Sequence, residues 1–357
     1  MSDSKVTRRE FVRDSAIAAA AAATGLSTTL TVRAGNPEKV DTSKILNYNS
    51  KMTYRPLGKT GFMISEVALG GHGGSTAADR VPVLERAVEL GMNYVDNNID
   101  QECDMYGAAM AKSKTAGRSK WFIGFASWPE KLTTEFESQL TPEGMMKNIE
   151  ARLKSYKTDM LDMWRPVGAT WGPGQNSIGT LLMVSEKTLD LVAGVFEKAK
   201  RQGKVRYLGV SAHNPKVFTR VLKHCPQFSV IIFPYLFLTK ELGGDSLLKM
   251  AQEKNVGVIG LKPFGAGTTF GIKPREIRGK VDPRAHVLVK EMLKEPRISA
   301  IIPGVNIVSQ LEENVKGSYE KDQPQTPADK KALAECTRNY YATLTPDYQW
   351  LHQWHRV

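Results

Sequence analysis

The chain has 357 residues, 41% of them hydrophobic, and its 49 lysines and arginines outnumber 37 acids for a formal net charge of +12. The basic residues are interspersed with acids, as in Lys147–Lys157 and Lys198–Arg206, and no recognition motif accompanies them, so a nucleic-acid role is not expected. Cys103, Cys225 and Cys336 are too few and too widely spaced for a disulfide framework or a zinc site.

In chain order, the first feature is Thr7-Arg8-Arg9-Glu10-Phe11-Val12-Arg13, followed by a weakly apolar, alanine-rich stretch from Ser15 to Leu30 and by Val32-Arg33-Ala34 before Gly35. A basic start, a short apolar stretch and small residues at a cleavage position make a signal peptide. The paired arginines with an aromatic two residues later resemble the twin-arginine export signal. The expectation is removal of residues 1–34, a linker over 35–51, and an exported, periplasmic protein whose partners include the twin-arginine machinery. No later run approaches the roughly 20 apolar residues that span a bilayer, so no membrane span is expected after cleavage.

From Glu66 to about residue 316, short apolar runs alternate with helix-length amphipathic segments, the pattern of a parallel α/β fold. Strands are predicted at 66–70, 93–97, 121–126, 160–164, 205–211, 229–235, 257–262 and 299–303, and eight strands with intervening helices predict a closed (β/α)8 TIM barrel over 52–325. Ahead of them, Met52 to Ile64 carries turn signals at Gly58 and Gly61 and reads as a β-hairpin closing the bottom of the barrel. Thr141-Pro142-Glu143 signals a helix start, and Ser185 to Gln202 reads as a helix ending at Gly203. Residues 165–182 read as a long glycine-rich loop over the C-terminal face. Cys103 is placed in a loop near that face, while Cys225 and Cys336 read as buried small residues. After a helix beyond Thr326, Tyr340, Tyr341, Tyr348, Trp350 and Trp354 mark residues 326–357 as an aromatic-rich C-terminal tail docked on the barrel or on a second subunit, which leaves a homo-oligomer open.

Several of these segments resemble the aldo-keto reductases. Tyr54-Arg55-Pro56-Leu57-Gly58-Lys59-Thr60-Gly61 resembles that family's opening hairpin, and Gly91-Met92-Asn93-Tyr94-Val95-Asp96 its second strand. Asp159 to Trp164 and Gly203 to Ser211 resemble the fourth and fifth strands, and Ile302-Pro303-Gly304 through Glu313-Asn314 the segment that holds the adenine end of the cofactor. The resemblance implies hydride transfer between NAD or NADP and a small carbonyl or alcohol substrate. In such a site a tyrosine is the general acid, its pKa lowered by a lysine that an aspartate holds, and a histidine orients the substrate oxygen.

Transferred residue by residue, Asp96 matches the aspartate. Gln101 stands where the tyrosine is expected, with Tyr106 the nearest candidate. Phe125-Ala126-Ser127-Trp128 holds no lysine, and Arg165-Pro166-Val167 stands in place of the histidine. Ala212, Ser229 and Leu261 replace residues that usually surround the nicotinamide. The resemblance assigns cofactor binding to Gly70, Ser211, the turn Lys262-Pro263-Phe264-Gly265-Ala266-Gly267, and Gly304, Gln310, Glu313 and Asn314; amides at glycine turns favour phosphate. No arginine or lysine in the eighth-strand loop awaits a 2′-phosphate, so NAD fits at least as well as NADP.

Other reactive residues expected on the C-terminal face are His72, Asp100, Glu102, Cys103, Arg165, His213 and Lys262, and the catalytic candidates are therefore Asp96, Tyr106, Lys262, His72 and His213. Two imidazoles with Asp96 suit zinc or iron, yet no ligand spacing supports them and no metal is expected. The leading expectation is an exported oxidoreductase with a non-standard catalytic set; the alternative is a catalytically silent barrel that binds a small molecule or a partner.

Overall fold

The computed structural model describes residues 41–70, 75–127, 141–168, 185–241, 246–273, 276 and 279–357. The export signal and linker up to residue 40, His72, and the predicted loop from 169 to 182 lie outside them. Thr42–Val357 forms one compact unit.

Seven parallel strands pair in chain order: β3 (Tyr94–Asn97), β4 (Phe122–Ser127), β5 (Leu161–Gly168), β6 (Val205–Ala212), β7 (Phe228–Pro234), β8 (Gly257–Leu261) and β9 (Ala300–Ile302). The extended segment 66–70 bridges the two ends, with Val67 against Ile301 and Leu69 against Val95. Backbone bonds from Ala68 N to Ile301 O at 2.9 Å and from Leu69 N to Tyr94 O at 3.0 Å complete the ring. The barrel predicted from the alternating pattern is therefore the fold, and closure removes the edges an open sheet would expose.

Antiparallel β1 (Tyr54–Pro56) and β2 (Met63–Ser65) form the predicted hairpin. It closes the bottom because Leu57 and Ile64 join an interior cluster with Ala68, Tyr94, Phe122, Met163, Val230, Ile232 and Ile259. The turn comes very close to the barrel. A Cβ on Gly58, which has φ +51°, would stand 2.2 Å from the backbone nitrogen of Gly257, so only glycine fits there.

The outer layer comprises α1 (Ala77–Glu89), α2 (Asp100–Lys112), α3 (Pro142–Ser155), α4 (Glu186–Arg201), α5 (Pro215–His224), α6 (Leu247–Glu253), α7 (Ala285–Met292) and α8 (Val308–Tyr319). Local signals set their ends. Thr141 caps α3 by accepting from Gly144 N at 3.0 Å ahead of Pro142, and α4 lies inside the predicted bounds of Ser185 and Gln202.

The tail continues as α9 (Pro327–Thr343) and a 3-10 segment, Pro346–His355. It docks on the barrel of its own chain. Trp354 is fully buried, stacks on Phe233 at 5.2 Å between ring centres and donates from Nε1 to the carbonyl of His213 at 3.2 Å.

Two expectations need correction. Residues 165–168 belong to β5 rather than to a loop: Ala126 pairs with Arg165 and Val167 with Ser211, so the strand runs past its predicted end at Trp164. Side chains alternate along a strand, and Met163 and Arg165 therefore share the inward face. Cys103 is buried within α2, not placed in a loop, and burial pushes its thiol up to about 12, which leaves it unreactive near neutral pH. Cys225 and Cys336 are buried and free, as expected.

Candidate active site

A cavity of about 490 Å³ opens at the C-terminal ends of the strands, where barrel enzymes carry their chemistry. Its wall is made by the ends of β3, β5, β6, β8 and β9, by the turn after β8, by the start of α8 and by Tyr348 of the tail.

The floor is a buried polar network. Arg165, 1% exposed, donates from Nη2 to Asp96 Oδ2 at 2.8 Å and to the carbonyl of Asn97 at 2.9 Å, and from Nη1 to Ser211 Oγ at 2.5 Å. From the bottom side Tyr94 donates to Asp96 Oδ1 at 2.9 Å. Period-2 alternation places Tyr94 and Asp96 on one face of β3 and Arg165 on the matching face of β5, so the ion pair spans the intervening β4. Gly124 makes room: a Cβ there would stand 2.4 Å from Tyr94 Oη and 2.8 Å from Asp96 Oδ1. A buried charge is tolerated when it is both paired and hydrogen-bonded, and Asp96 and Arg165 meet both conditions through each other and their neighbours. Tyr94 itself is held well above the ordinary phenol value, first by burial and then by the Asp96 carboxylate. It stays a neutral hydrogen-bond donor.

The sequence marks Arg165 only as one reactive residue of the face. Its signal is a charge directly following Met160–Trp164, where Asp162 is the one other charge, and without the extra strand residues nothing indicates that it points inward.

The other candidates divide. Asp96, Lys262 and His213 all line the cavity. The ring of His213, 4% exposed, lies flat on Trp350 at 4.0 Å and 20°. Tyr106 does not line the cavity. It sits fully buried on α2 with the guanidinium of Arg80 5.2 Å from its ring centre, and its hydroxyl has no hydrogen-bond partner among the described residues. Burial raises its pKa, the opposite of what a general acid requires, so its candidacy is withdrawn. The helical phase of α2 turns it away from the barrel mouth.

Of the expected cofactor residues, Gly70, Ser211, Lys262, Pro263, Phe264, Gly267, Gly304, Gln310, Glu313 and Asn314 line the cavity. Gly265 does not. Its amide donates to the carbonyl of Lys262 at 2.9 Å, and a Cβ on it would meet Thr268 and Tyr340, so it shapes the turn from behind. That turn is unusual backbone: Lys262 at φ +53° and Ala266 at φ +59° adopt left-handed conformations that L-residues enter at a cost, a feature concentrated at functional sites.

At the far end, Gln310 accepts from Asn306 N at 2.8 Å and donates from Nε2 to the carbonyl of Lys280 at 2.6 Å, which ties the two walls together. Glu313 Oε1 meets His286 Nδ1 at 2.5 Å. Asn314 is 2% exposed, and its Nδ2 is buried with no hydrogen-bond partner among the described residues. A buried amide donor left unsatisfied is costly, and one in a cavity wall fits a ligand that accepts from it. Gly304 adds clearance, since a Cβ there would meet nothing within 4 Å. These residues fit a nucleotide.

Comparison with known proteins agrees with this architecture. The model of the aldo/keto reductase family matches residues 66–288. The chain is 23% identical over 328 residues to the uncharacterized oxidoreductase YqkF of Bacillus subtilis, covering 80% of this chain and 97% of that one. It is equally 23% identical over 328 residues to the L-galactose dehydrogenase of Arabidopsis thaliana, covering 81% and 97%. Among solved structures, an aldo-keto reductase from Bacillus halodurans in its holo form superposes with a TM-score of 0.58 at 18% identity, over 80% of this chain and 96% of the other. The chain belongs to the aldo/keto reductase family.

Proposed function

We propose that this protein is a nicotinamide-dependent oxidoreductase that interconverts a small carbonyl compound and its alcohol, works outside the cytoplasm, and uses a catalytic set different from its family's usual one. The observation that carries the cofactor reading is Asn314, whose buried Nδ2 lacks a partner among the described residues in the cavity wall. A nicotinamide nucleotide, when bound, supplies the hydride chemistry. The chain's own residues do the rest. Asn314 and the space beside Gly304 receive the adenosine end, the turn 262–267 faces the phosphates, and Ser211, held by Arg165, lies toward the nicotinamide end.

In this reading Arg165 stands in for the family's lysine as the cation beside Asp96. An arginine keeps its proton, so Arg165 orients and neutralises rather than passing a proton on. The exchangeable proton belongs to a group on the wall, and His213 is the candidate, because Trp350 fixes the plane of its ring. Segment 304–314 contains no lysine or arginine to clasp a 2′-phosphate, so NAD fits at least as well as NADP.

The Thr7–Arg13 motif supports export through the twin-arginine machinery, a route for proteins already folded around a cofactor. Nicotinamide nucleotides are not supplied freely outside the cytoplasm, so the proposal includes a nucleotide carried out bound. Titration of NADH and NADPH into the purified protein, followed by fluorescence and calorimetry, tests the reading: saturable binding of NADH, at least as tight as that of NADPH, is expected, and no binding of either would overturn it.

The commitment of both Asp96 oxygens to Tyr94 and Arg165 favours a second reading, a barrel that binds a small molecule without turning it over. Carbonyl-dependent NADH oxidation that Asp96→Asn abolishes would eliminate it.

A further inference from the structure

The rings of Tyr340, Tyr341, His352 and His355 cluster on the tail, and none of the four lines the cavity. His352 and His355 lie three residues apart in the 3-10 segment Pro346–His355. Side chains at that spacing eclipse in a 3-10 helix, so both imidazoles project to the same side. Their ring centres are 4.9 Å apart at 76°. Imidazoles bound about 2.0–2.1 Å from one shared ion, at angles between square and tetrahedral, hold their centres roughly 4.5–5.5 Å apart. His355 Nε2 is 3.2 Å from Tyr340 Oη. In the tautomer whose Nε2–H donates to Tyr340 Oη, Nδ1 keeps its lone pair, as the second ring nitrogen of a metal-bound histidine commonly does.

We propose that His352 and His355 form a surface site for a borderline transition-metal ion, with two imidazole nitrogens and the remaining positions taken by water. His352 is exposed, which gives the ion an entry path. Tyr341 flanks the pair, its ring 5.8 Å from that of His352 and stacked at 21°. Two neutral imidazoles without a thiolate or carboxylate select Cu(II) first, with Ni(II) and Zn(II) weaker. The ion would stiffen this last turn of the segment that carries Tyr348 on the cavity wall and Trp350 on His213.

The test is titration of CuCl2 into the tag-free mature protein at pH 7.5, read by calorimetry and by electron paramagnetic resonance. One ion per chain with a two-nitrogen signature is expected, together with slower proteolysis of the C-terminal tail. His352→Ala, a change at an exposed position, is expected to weaken binding at least tenfold and to remove that protection, with the far-ultraviolet circular dichroism unchanged. Equal binding by wild type and His352→Ala, or a signature without paired nitrogens, would overturn the proposal. The outcome is independent of nucleotide binding, so it does not stand or fall with the oxidoreductase reading.

Discussion

The guanidinium of Arg165 and the carboxylate of Asp96 meet at 2.8 Å across an intervening strand at the closed floor of the cavity. Each is the other's charge partner in a place with little water, so removing one strands the other. Arg165→Met is expected to destabilise the fold by about 3–5 kcal/mol, the usual cost of leaving a buried charge unpaired. Arg165→Met combined with Asp96→Asn should recover much of that loss. Urea denaturation of the two variants checks it, and equal stability of the single variant and wild type would contradict the pairing.

Asn314→Leu removes the buried donor while keeping approximate volume. Loss of one hydrogen bond is worth about 0.5–1.5 kcal/mol, so NADH affinity should fall severalfold to about tenfold. Calorimetric titration decides the point. Because Nδ2 has no partner among the described residues, the variant should match or exceed wild-type stability without ligand.

Trp354→Ala empties a fully buried site between Phe233 and Phe218 and breaks the bond to the His213 carbonyl. Truncating a buried aromatic costs about 3–5 kcal/mol. The tail should then detach before the barrel unfolds, seen as hydrogen exchange rising first over 346–357.

Gly58→Ala tests the hairpin plug. Left-handed backbone costs an L-residue about 1–2 kcal/mol, and the overlap with the Gly257 backbone adds to that. A melting temperature unchanged by the substitution would show that the hairpin does not seat as closely as described.

Asp162, near the start of β5 and three residues before Arg165, supplies a pH dependence. Burial pushes its carboxyl up, but the Arg118 and Arg206 guanidiniums and the amide of Ile123 outweigh burial and hold it below its ordinary 3.8. A depressed folded-state value stabilises the protein fully above the unfolded value and is lost as pH falls through the folded one. Acid unfolding below about pH 4 should therefore be less steep in Asp162→Asn, which is also less stable at pH 7 by about 3 kcal/mol.

The linear pattern of the chain is enough to specify the barrel, because alternating apolar runs and amphipathic segments admit few other arrangements, and Gly58 and Gly61 locate the hairpin. Most of the cavity wall is legible in the same way, since Gly304 to Asn314 and Lys262 to Gly267 lie on short local stretches that fold as units. Tertiary packing sets what depends on strand phase and on contacts distant in sequence. The extension of β5 to Gly168 turns Arg165 inward onto Asp96, 69 residues away. The rotation of α2 buries Tyr106 away from the cavity, and the fold of the tail lays Trp350 on His213, which no local pattern specifies. Local periodicity fixes which face of a strand or helix is apolar, whereas the partner of a buried charge is set only when closure of the barrel brings two strands to the same depth.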